Sequence, residues 1–443
     1  MTGTGLVAAR GNAHPSGNGI HQRQTGRSGG LTAASDISLE AVSSVDAIAS
    51  ADWDACARSG VALAAGAPAS TDPSSGCPAT SKAAYNPFLS HAFFTALEQS
   101  RSASARTGWG PRHLVARQDG AIVGIVPCYL KSHSQGEYVF DRGWADAYER
   151  AGGHYYPKLQ VSVPFTPATG PRLLIRGGAD ADLVGHALAQ GLVALCDLTK
   201  ASSAHVTFAR EGEWRFLAAR GFLQRTDQQF HWHNAGYATF DDFLGSLNSR
   251  HRKAIKRERR DAVENGITIH HLTGRDITED AWDAFYEFYM ETGSRKWGRP
   301  YLNREFYSLI GQSMSEDVLL VMARRGGRWV AGAINFIGGD TLFGRHWGAV
   351  EHHPFLHFEI CYYQAIAFAI ARGLAVVEAG AQGEHKIARG YLPQTTYSAH
   401  YIADPALRRA IADYLKRERT YVDEMGRELS EAGPFRKSGA DPA

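Results

Sequence analysis

Between Glu378 and His400 the chain gathers groups that can carry a proton or hold an anion: Glu378, Glu384, His385, Lys386, Arg389 and His400. Glu378 ends a short apolar run, Leu374 to Val377, that predicts a buried strand. Ala379, Gly380, Ala381, Gln382 and Gly383 follow, mostly small residues that permit a sharp turn and close approach of a ligand. Loops at strand ends are where α/β folds place ligands. N-acyl transfer fits such a set, because it needs a base for the attacking amine, a polarised acyl carbonyl and a proton for the leaving group. Glu378, with Glu384 and His385 on the adjoining loop, would supply the base. His400 is a second candidate, on a strand where Thr396, Ser398 and His400 share a face by the two-residue period. Gln382, Gly383, Lys386 and Arg389 would hold a phosphate or carboxylate, helped by free N–H groups at the start of a short helix. Plainer readings stand beside these: a satisfied core histidine at position 400, and ion pairs of Lys386 and Arg389 with Glu384 on a solvated helix.

Further candidates lie upstream. Arg345-His346-Trp347 closes a predicted strand, and Glu359 shares a helical face with Tyr362 and with Tyr363. These residues would contact substrate, with buried Tyr–Glu pairing as the alternative. His352, His353 and His357 do not make a metal site in this reading, since Pro354 breaks the helix that would align the last two. From Arg250 to Arg260 there are seven Lys or Arg and one acidic residue. Arg252, Lys253, Lys256 and Arg257 would contact the phosphates of tRNA or of a nucleotide-linked acceptor, or form an ordinary solvated face.

Composition limits the alternatives. A chain of 443 residues has room for two or three domains, and 44% hydrophobic residues is ordinary for a globular protein. A formal net charge of +2 makes no global case for a polyanion partner, so any such case is local. Five scattered cysteines without a CxxC argue against a disulfide framework and for a reducing, cytoplasmic setting. No apolar run approaches the roughly 20 residues of a membrane span.

Internal repetition is the main architectural signal. Ile37-Ser38-Leu39 leads to Trp53-Asp54-Ala55, and Ile267-Thr268-Ile269 leads to Trp282-Asp283-Ala284 at almost the same spacing. Each copy then predicts a hairpin, turning at Asp119-Gly120 and at Gly326-Gly327. Each next has a helical run, Ala181 to Leu198 and Phe355 to Gly373, in the second of which Phe358, Cys361, Tyr362, Ala365 and Ala369 mark a buried stripe. Each ends in a matched pair, Arg220-Gly221-Phe222-Leu223 with His231-Trp232 and Arg389-Gly390-Tyr391-Leu392 with His400-Tyr401. The division expected is a disordered tail over 1–35, a first module over 36–240 with a flexible insertion at 59–84, a basic connecting helix over 241–265, a second module over 266–432 and a tail over 433–443. A transit peptide shares the composition of residues 1–35, which carry no acidic residue.

The element order (strand, two helices, strand meander, long helix, strand, short helix, strand) resembles the GNAT acyltransferase fold, a mixed, mostly antiparallel α/β sheet flanked by helices. A tandem pair resembles the Fem-type peptidyltransferases. The segments HFEICYYQAIAFAIARGL and EAGAQGEHKIARGYLP, with NPFLSHAFF, PFTPATGPRLL and RTDQQFHWHN upstream, resemble the bacterial FemAB-like family of peptidoglycan-biosynthesis and N-acyltransferase proteins. The resemblance implies a tandem GNAT-like enzyme moving an activated acyl group to an amine on a small molecule or cell-wall precursor, with aminoacyl-tRNA or acyl-CoA as a diffusible donor and no resident cofactor. Against CoA, the place where acetyl-CoA-dependent relatives carry a glycine-rich pyrophosphate loop reads Val350 to His357, without glycine. Two alternatives stay open: a non-catalytic GNAT-like protein that recognises a phosphate-bearing ligand or nucleic acid, and an acyl-CoA-dependent N-acetyltransferase.

Overall fold

The structure, a computed structural model, describes residues 36–63, 85–296, 300–380 and 383–436. The expectations for residues 1–35, for most of the insertion, for Gln382 and for the last residues of the tail lie outside it. Two of the expected flexible boundaries move. Leu63 is buried against Gly185 and Phe216, so the first module extends to that point. At the other end Phe435 bridges to Leu247, and Pro434 accepts the Asn248 N–H at 2.9 Å, so 433–436 pack against the start of the basic helix.

The first half contributes β1 (Ile37–Val42), β2 (Trp109–Pro111), β3 (His113–Gln118), β4 (Ala121–Val126), β5 (Cys128–Lys131), β6 (Lys158–Val161), β7 (Leu174–Ile175), β8 (Ser203–Ala209) and β9 (Leu223–His233). The second contributes β10 (Ile267–Leu272), β11 (Val318–Arg325), β12 (Arg328–Ile337), β13 (Thr341–Ala349), β14 (Val376–Glu378) and β15 (Leu392–Ile402). Both hairpins turn where the sequence places them: Asp119-Gly120 and Gly326-Gly327 take positive φ at both central residues, the geometry that matches strand twist.

The strand orders correspond. β10-β11-β12-β13-β14 is continuous, whereas in the first half Pro127 divides the equivalent of β12 into β4 and β5. Proline cannot donate to a ladder, and β4 closes a separate sheet, β1-β3-β4-β7, while β5 joins β6. β6 then pairs in parallel with β8, Val161 opposite Val206, as β13 does with β14, Thr341 opposite Val376.

The last strands are exchanged. β9 pairs with β14 of the second half, and β15 pairs with β8 of the first. β9 and β15 also pair with each other from Leu392↔His231 to His400↔Leu223, which fuses everything except the small sheet into one surface of 11 strands. The cores follow the exchange: Trp232 of β9 is buried among Val377, Ile387 and Tyr391, and Ala399 of β15 among Val206, Leu159 and Leu192.

Three helices pack on these sheets. Ala181–Thr199 is long and apolar enough to cross a membrane by length and composition, which the sequence reading missed. Here its Val184, Leu188, Leu192 and Leu195 face is buried in the first core. The basic helix Ser249–Val263, capped by the Asn248 side chain, buries Ile255, Glu258 and Ala262. Pro405–Glu431, begun by an Asp404 cap and a proline at the first position, lies over β9 and β15.

Because each half holds the other's last strand, the protein should unfold in one calorimetric transition. Trp232→Ala should destabilise that transition by about 3–5 kcal/mol, the usual cost of emptying a buried indole site. Two separate transitions, only one of them shifted by the substitution, would contradict the exchange.

Candidate active site

β13 and β14 run together only as far as Phe343↔Glu378. Beyond that pair the chain leaving β14 follows β9: Ala379 donates to the Phe230 carbonyl at 3.1 Å, and Phe230 donates to the Gly380 carbonyl at 3.2 Å. β13 continues alone to Ala349, so the two parallel strands part at Glu378. A bulge on β13 marks the same level. Asn335 faces Gly344 and Ala333 faces Trp347, which leaves Arg345 and His346 opposite the single residue Ile334. Bulges re-aim side chains in this way. Gly344 suits this close approach, since a Cβ would lie 3.2 Å from the Glu378 carbonyl oxygen, a tight contact.

Glu378 and Arg345 meet in the gap. Their side chains are 6% and 4% exposed, and Arg345 Nη2 lies 3.6 Å from Glu378 Oε2, within ion-pair range but too long for a hydrogen bond. Arg345 Nη1 donates to the Gly344 carbonyl at 2.8 Å, while Nε, Nη2 and Glu378 Oε2 have no hydrogen-bond partner. The guanidinium lies over the Phe88 ring, 4.6 Å from its centroid. Burial drives both members toward their neutral forms. It pushes the Glu378 carboxyl up to about 7 against the lowering effect of Arg345, and it holds Arg345 below its usual value.

The exchanged strand completes the site. His231 Nε2 is 3.9 Å from Glu378 Oε1 and 3.3 Å from Gln229 Oε1, and Gln229 donates to the Pro167 carbonyl at 2.6 Å. Burial, with the cations around it, takes His231 down to about 3, so it faces Glu378 as a neutral imidazole. Arg172, fully buried and bonded to the carbonyls of Thr207 (2.8 Å) and Ala168 (2.6 Å), adds positive potential at Glu378. Sequence reasoning placed His231 only in the repeat and missed Gln229 and Arg172, because their proximity to Glu378 depends on the strand exchange. The first half has no equivalent carboxylate on this strand: Glu378 pairs with His231 as His205 pairs with His400, so His205 stands in the place of Glu378.

The remaining expected residues separate into groups. Lys386 is tied to the loop that follows Glu378: it is buried, donates to the Gly380 carbonyl at 3.0 Å, and is brought down to about 8 by desolvation. Gly383, at φ +103, precedes the short 3₁₀ helix Glu384–Arg389 that Glu384 opens. His385 is held against the Tyr362 hydroxyl at 3.0 Å, beside Phe358 and His357. His346 packs on Tyr289 with ring centroids 4.9 Å apart and is desolvated down to about 4, and Trp347 packs on His357.

Four expectations need correction. Arg389 does not face a ligand: its Nη2 donates to both oxygens of Glu258 at 2.9 and 2.8 Å, and its plane covers Phe358. Tyr363 also donates to Glu258, so both residues anchor the basic helix. Glu359 is bonded by Arg259 and by Gln364 (2.6 Å) rather than by a neighbouring tyrosine. A π turn runs over Glu359–Tyr363, and the predicted stripe still faces the core: Tyr362, Ala365 and Ala369 are buried and Phe358 and Cys361 pack against them. His400 lies far from Glu378. It sits along β15 from Leu392, about 26 Å at roughly 3.3 Å per residue, with Nδ1 2.7 Å from His205 Nδ1 and Trp144 against its ring. The outer face of the basic helix keeps Lys253, Lys256 and Arg257 exposed and Arg252 partly so.

A family model described as peptidoglycan biosynthesis/recognition, FemAB-like, matches residues 44–437. No curated protein matches the chain at the sequence level. Among solved structures, FemX superposes with a TM-score of 0.50 at 13% identity, covering 82% of this chain and 98% of that one. A tandem GNAT protein from the clavulanic acid biosynthesis pathway gives 0.45 at 12% identity, covering 84% and 99%. L-PGS from Bacillus licheniformis gives 0.45 at 9%, covering 74% and 97%.

The raised Glu378 carboxyl fixes the sign of a pH effect. Its proton binds more tightly in the folded state, so its stabilising contribution is complete below about pH 4.5, its usual value, and is lost as pH rises through about 7. Between those limits the stability of Glu378→Gln relative to wild type should shift in the variant's favour by about 3 kcal/mol. Denaturant titrations at a series of pH values would measure this, and a flat difference would contradict the desolvated carboxylate.

Proposed function

The chain belongs to the FemAB-like family, and from that premise we propose that it is an N-acyltransferase that moves an activated acyl or aminoacyl group onto an amine acceptor where β13 and β14 part. Glu378 carries the reading. A carboxyl titrating near 7 is matched to taking a proton from an attacking ammonium at neutral pH. His231, neutral and backed by Gln229, orients the carboxylate from the exchanged strand. Lys386, tied to the loop that leaves Glu378, brings positive charge for the developing oxyanion and a proton for the leaving group. The acceptor's place among cell-wall precursors follows the family description.

The donor in this proposal is a diffusible ester of the aminoacyl-tRNA kind rather than acyl-CoA. The segment Val350 to His357 has no glycine and presents Glu351, which pairs with Arg325 at 2.7 Å and with His353 at 2.9 Å. The exposed cations of the basic helix would take the phosphates of the donor, a contact weakened by salt.

Two outcomes test this. Glu378→Gln keeps the side chain's shape and should lower turnover by about 10²–10⁴-fold, as loss of a general base does. His385→Ala should cost less and Tyr391→Phe almost nothing. A Glu378→Gln protein that is folded and turns over like wild type removes the base from this residue. Separately, reversing Lys253, Lys256 and Arg257 to Glu should abolish low-salt tRNA binding in fluorescence anisotropy with little change in melting temperature. A wild-type protein that binds no tRNA at low salt leaves the basic helix as a solvated face.

A further inference from the structure

Gln229 and His231 stand two residues apart on β9 and share a face of the strand, the one turned to Glu378. Gln229 is 1% exposed, and an amide buried that deeply is costly unless its two ends are bonded. One end meets the Pro167 carbonyl at 2.6 Å. A main-chain carbonyl only accepts, so the group at that distance is the amide nitrogen, and the orientation of the amide is fixed. Its oxygen is thereby turned to His231 Nε2 at 3.3 Å, and an amide oxygen also only accepts. The second group facing Nε2 is Glu378 Oε1 at 3.9 Å, an acceptor when ionised. An imidazole nitrogen that faces two acceptors carries the hydrogen.

Burial, with His233, Arg345 and Lys386 adding positive potential, keeps a second proton off the ring. A neutral imidazole has one N–H, so Nδ1 is bare once Nε2 holds the hydrogen. We propose that Gln229 is a positioning residue that locks His231 in its Nε2–H form, so that His231 presents an N–H to Glu378 and cannot relay its proton. The assignment rests on the acyl-transfer reading above and deepens it, by leaving Glu378 as a base that works without a histidine partner in proton transfer.

The repeat offers a contrast within the same chain. His400 takes the matching place on β15, with Ser398 two residues before it where the other copy has Gln229. There the ring meets its partner through Nδ1, 2.7 Å from His205 Nδ1, and Nε2 has no hydrogen-bond partner. Beside Gln229 it is Nε2 that is engaged. For the proposed reaction, the proton that Glu378 takes from the attacking ammonium finds no lone pair at Nε2 to move to. It stays on the carboxyl until it passes to the leaving oxygen or to water. Before it arrives, the N–H dipole favours the ionised carboxylate, the form that acts as base.

Two-bond ¹H–¹⁵N spectra of the full chain, labelled in histidine, read the tautomer without any substrate, with His231 assigned by the signals missing in His231→Leu. Nε2 should be the protonated, pyrrole-type nitrogen and Nδ1 the bare one between about pH 5 and 8. Gln229→Met fills the space but offers no amide oxygen, so the Nδ1–H form should appear and the Glu378 carboxyl-carbon midpoint should rise. In turnover, Gln229→Met and His231→Leu should each lower kcat about tenfold, the loss of one hydrogen bond to a charged group, with KM unchanged. His231→Gln, which returns an N–H near the place of Nε2, should recover most of that loss. A bare Nε2 in the wild-type spectrum overturns the assignment, and that spectrum decides alone where a variant does not fold. A folded Gln229→Met with the wild-type tautomer and Glu378 midpoint overturns it too, as does His231→Gln as impaired as His231→Leu, since the ring would then be moving a proton. The expected spectra in a protein that transfers no acyl group from any ester or thioester would sink the transferase reading and leave the lock. Transfer by a protein whose His231 is in the Nδ1–H form would sink the lock and leave the transferase.

Discussion

The reciprocal exchange of β9 and β15 is the constraint on which the rest of this structure depends. Each half lacks the strand that would cover its parallel pair, and each receives it from the other. The consequence reaches the chemistry directly. Glu378 belongs to the second half, but the imidazole that faces it, the amide behind that imidazole and the carbonyl that holds the amide all come from the first. Phe88, under the Arg345 guanidinium, comes from the same half. The candidate site is therefore a property of the tandem, and one module would present only part of it.

At Arg345 and Glu378 two opposing forces meet. An ion pair in a well-solvated place would keep both groups charged, the acid lowered and the base raised. Here desolvation outweighs the attraction across 3.6 Å, and the carboxyl moves up. The buried Lys131 and Glu137, 3.9 Å apart, are driven toward neutrality in the same way, whereas other buried carboxylates are held by several bonds. Glu258 takes Arg389 on both oxygens and Tyr363 as well, and it serves to dock the basic helix. Asp141, buried like Glu378 but bonded by Lys158 and the Tyr155 hydroxyl, is pulled well below the usual carboxylate range. The contrast separates Glu258 and Asp141, which hold neighbouring elements in place, from Glu378, whose Oε2 makes no hydrogen bond.

Much of the fold was legible in the sequence because it is local. The hairpin turns, the matched Trp53 and Trp282 and the order of strands and helices follow from spacing and turn chemistry. Glu378 was legible too, as a polar residue ending an apolar run ahead of glycines. What the sequence hid was tertiary. Nothing in RTDQQFHWHN says that His231 will face a carboxylate far along the chain. The helix carrying Glu359 and Tyr363 reads as regular, and the π turn there is invisible to a 3.6-residue pattern, as are the partners Arg259 and Glu258 from the basic helix. Arg389 and His400 carry chemistry by type, but Glu258 and His205 occupy them, and those partners arrive from other elements. The C-terminal helix over β9 and β15 did have a signal, Asp404-Pro405 followed by Leu407, Ile411 and Leu415 at four-residue spacing.

The central claim is that Glu378 is a desolvated carboxyl poised near neutrality beside a cation that cannot fully pair with it. Carboxyl-carbon NMR with ¹³C-labelled glutamate, assigned by the signal missing in Glu378→Gln, measures this directly. The account predicts a titration midpoint near 7. A midpoint at or below the ordinary carboxylate value of about 4.3 would mean that Arg345 holds Glu378 ionised, and the general-base assignment would fall.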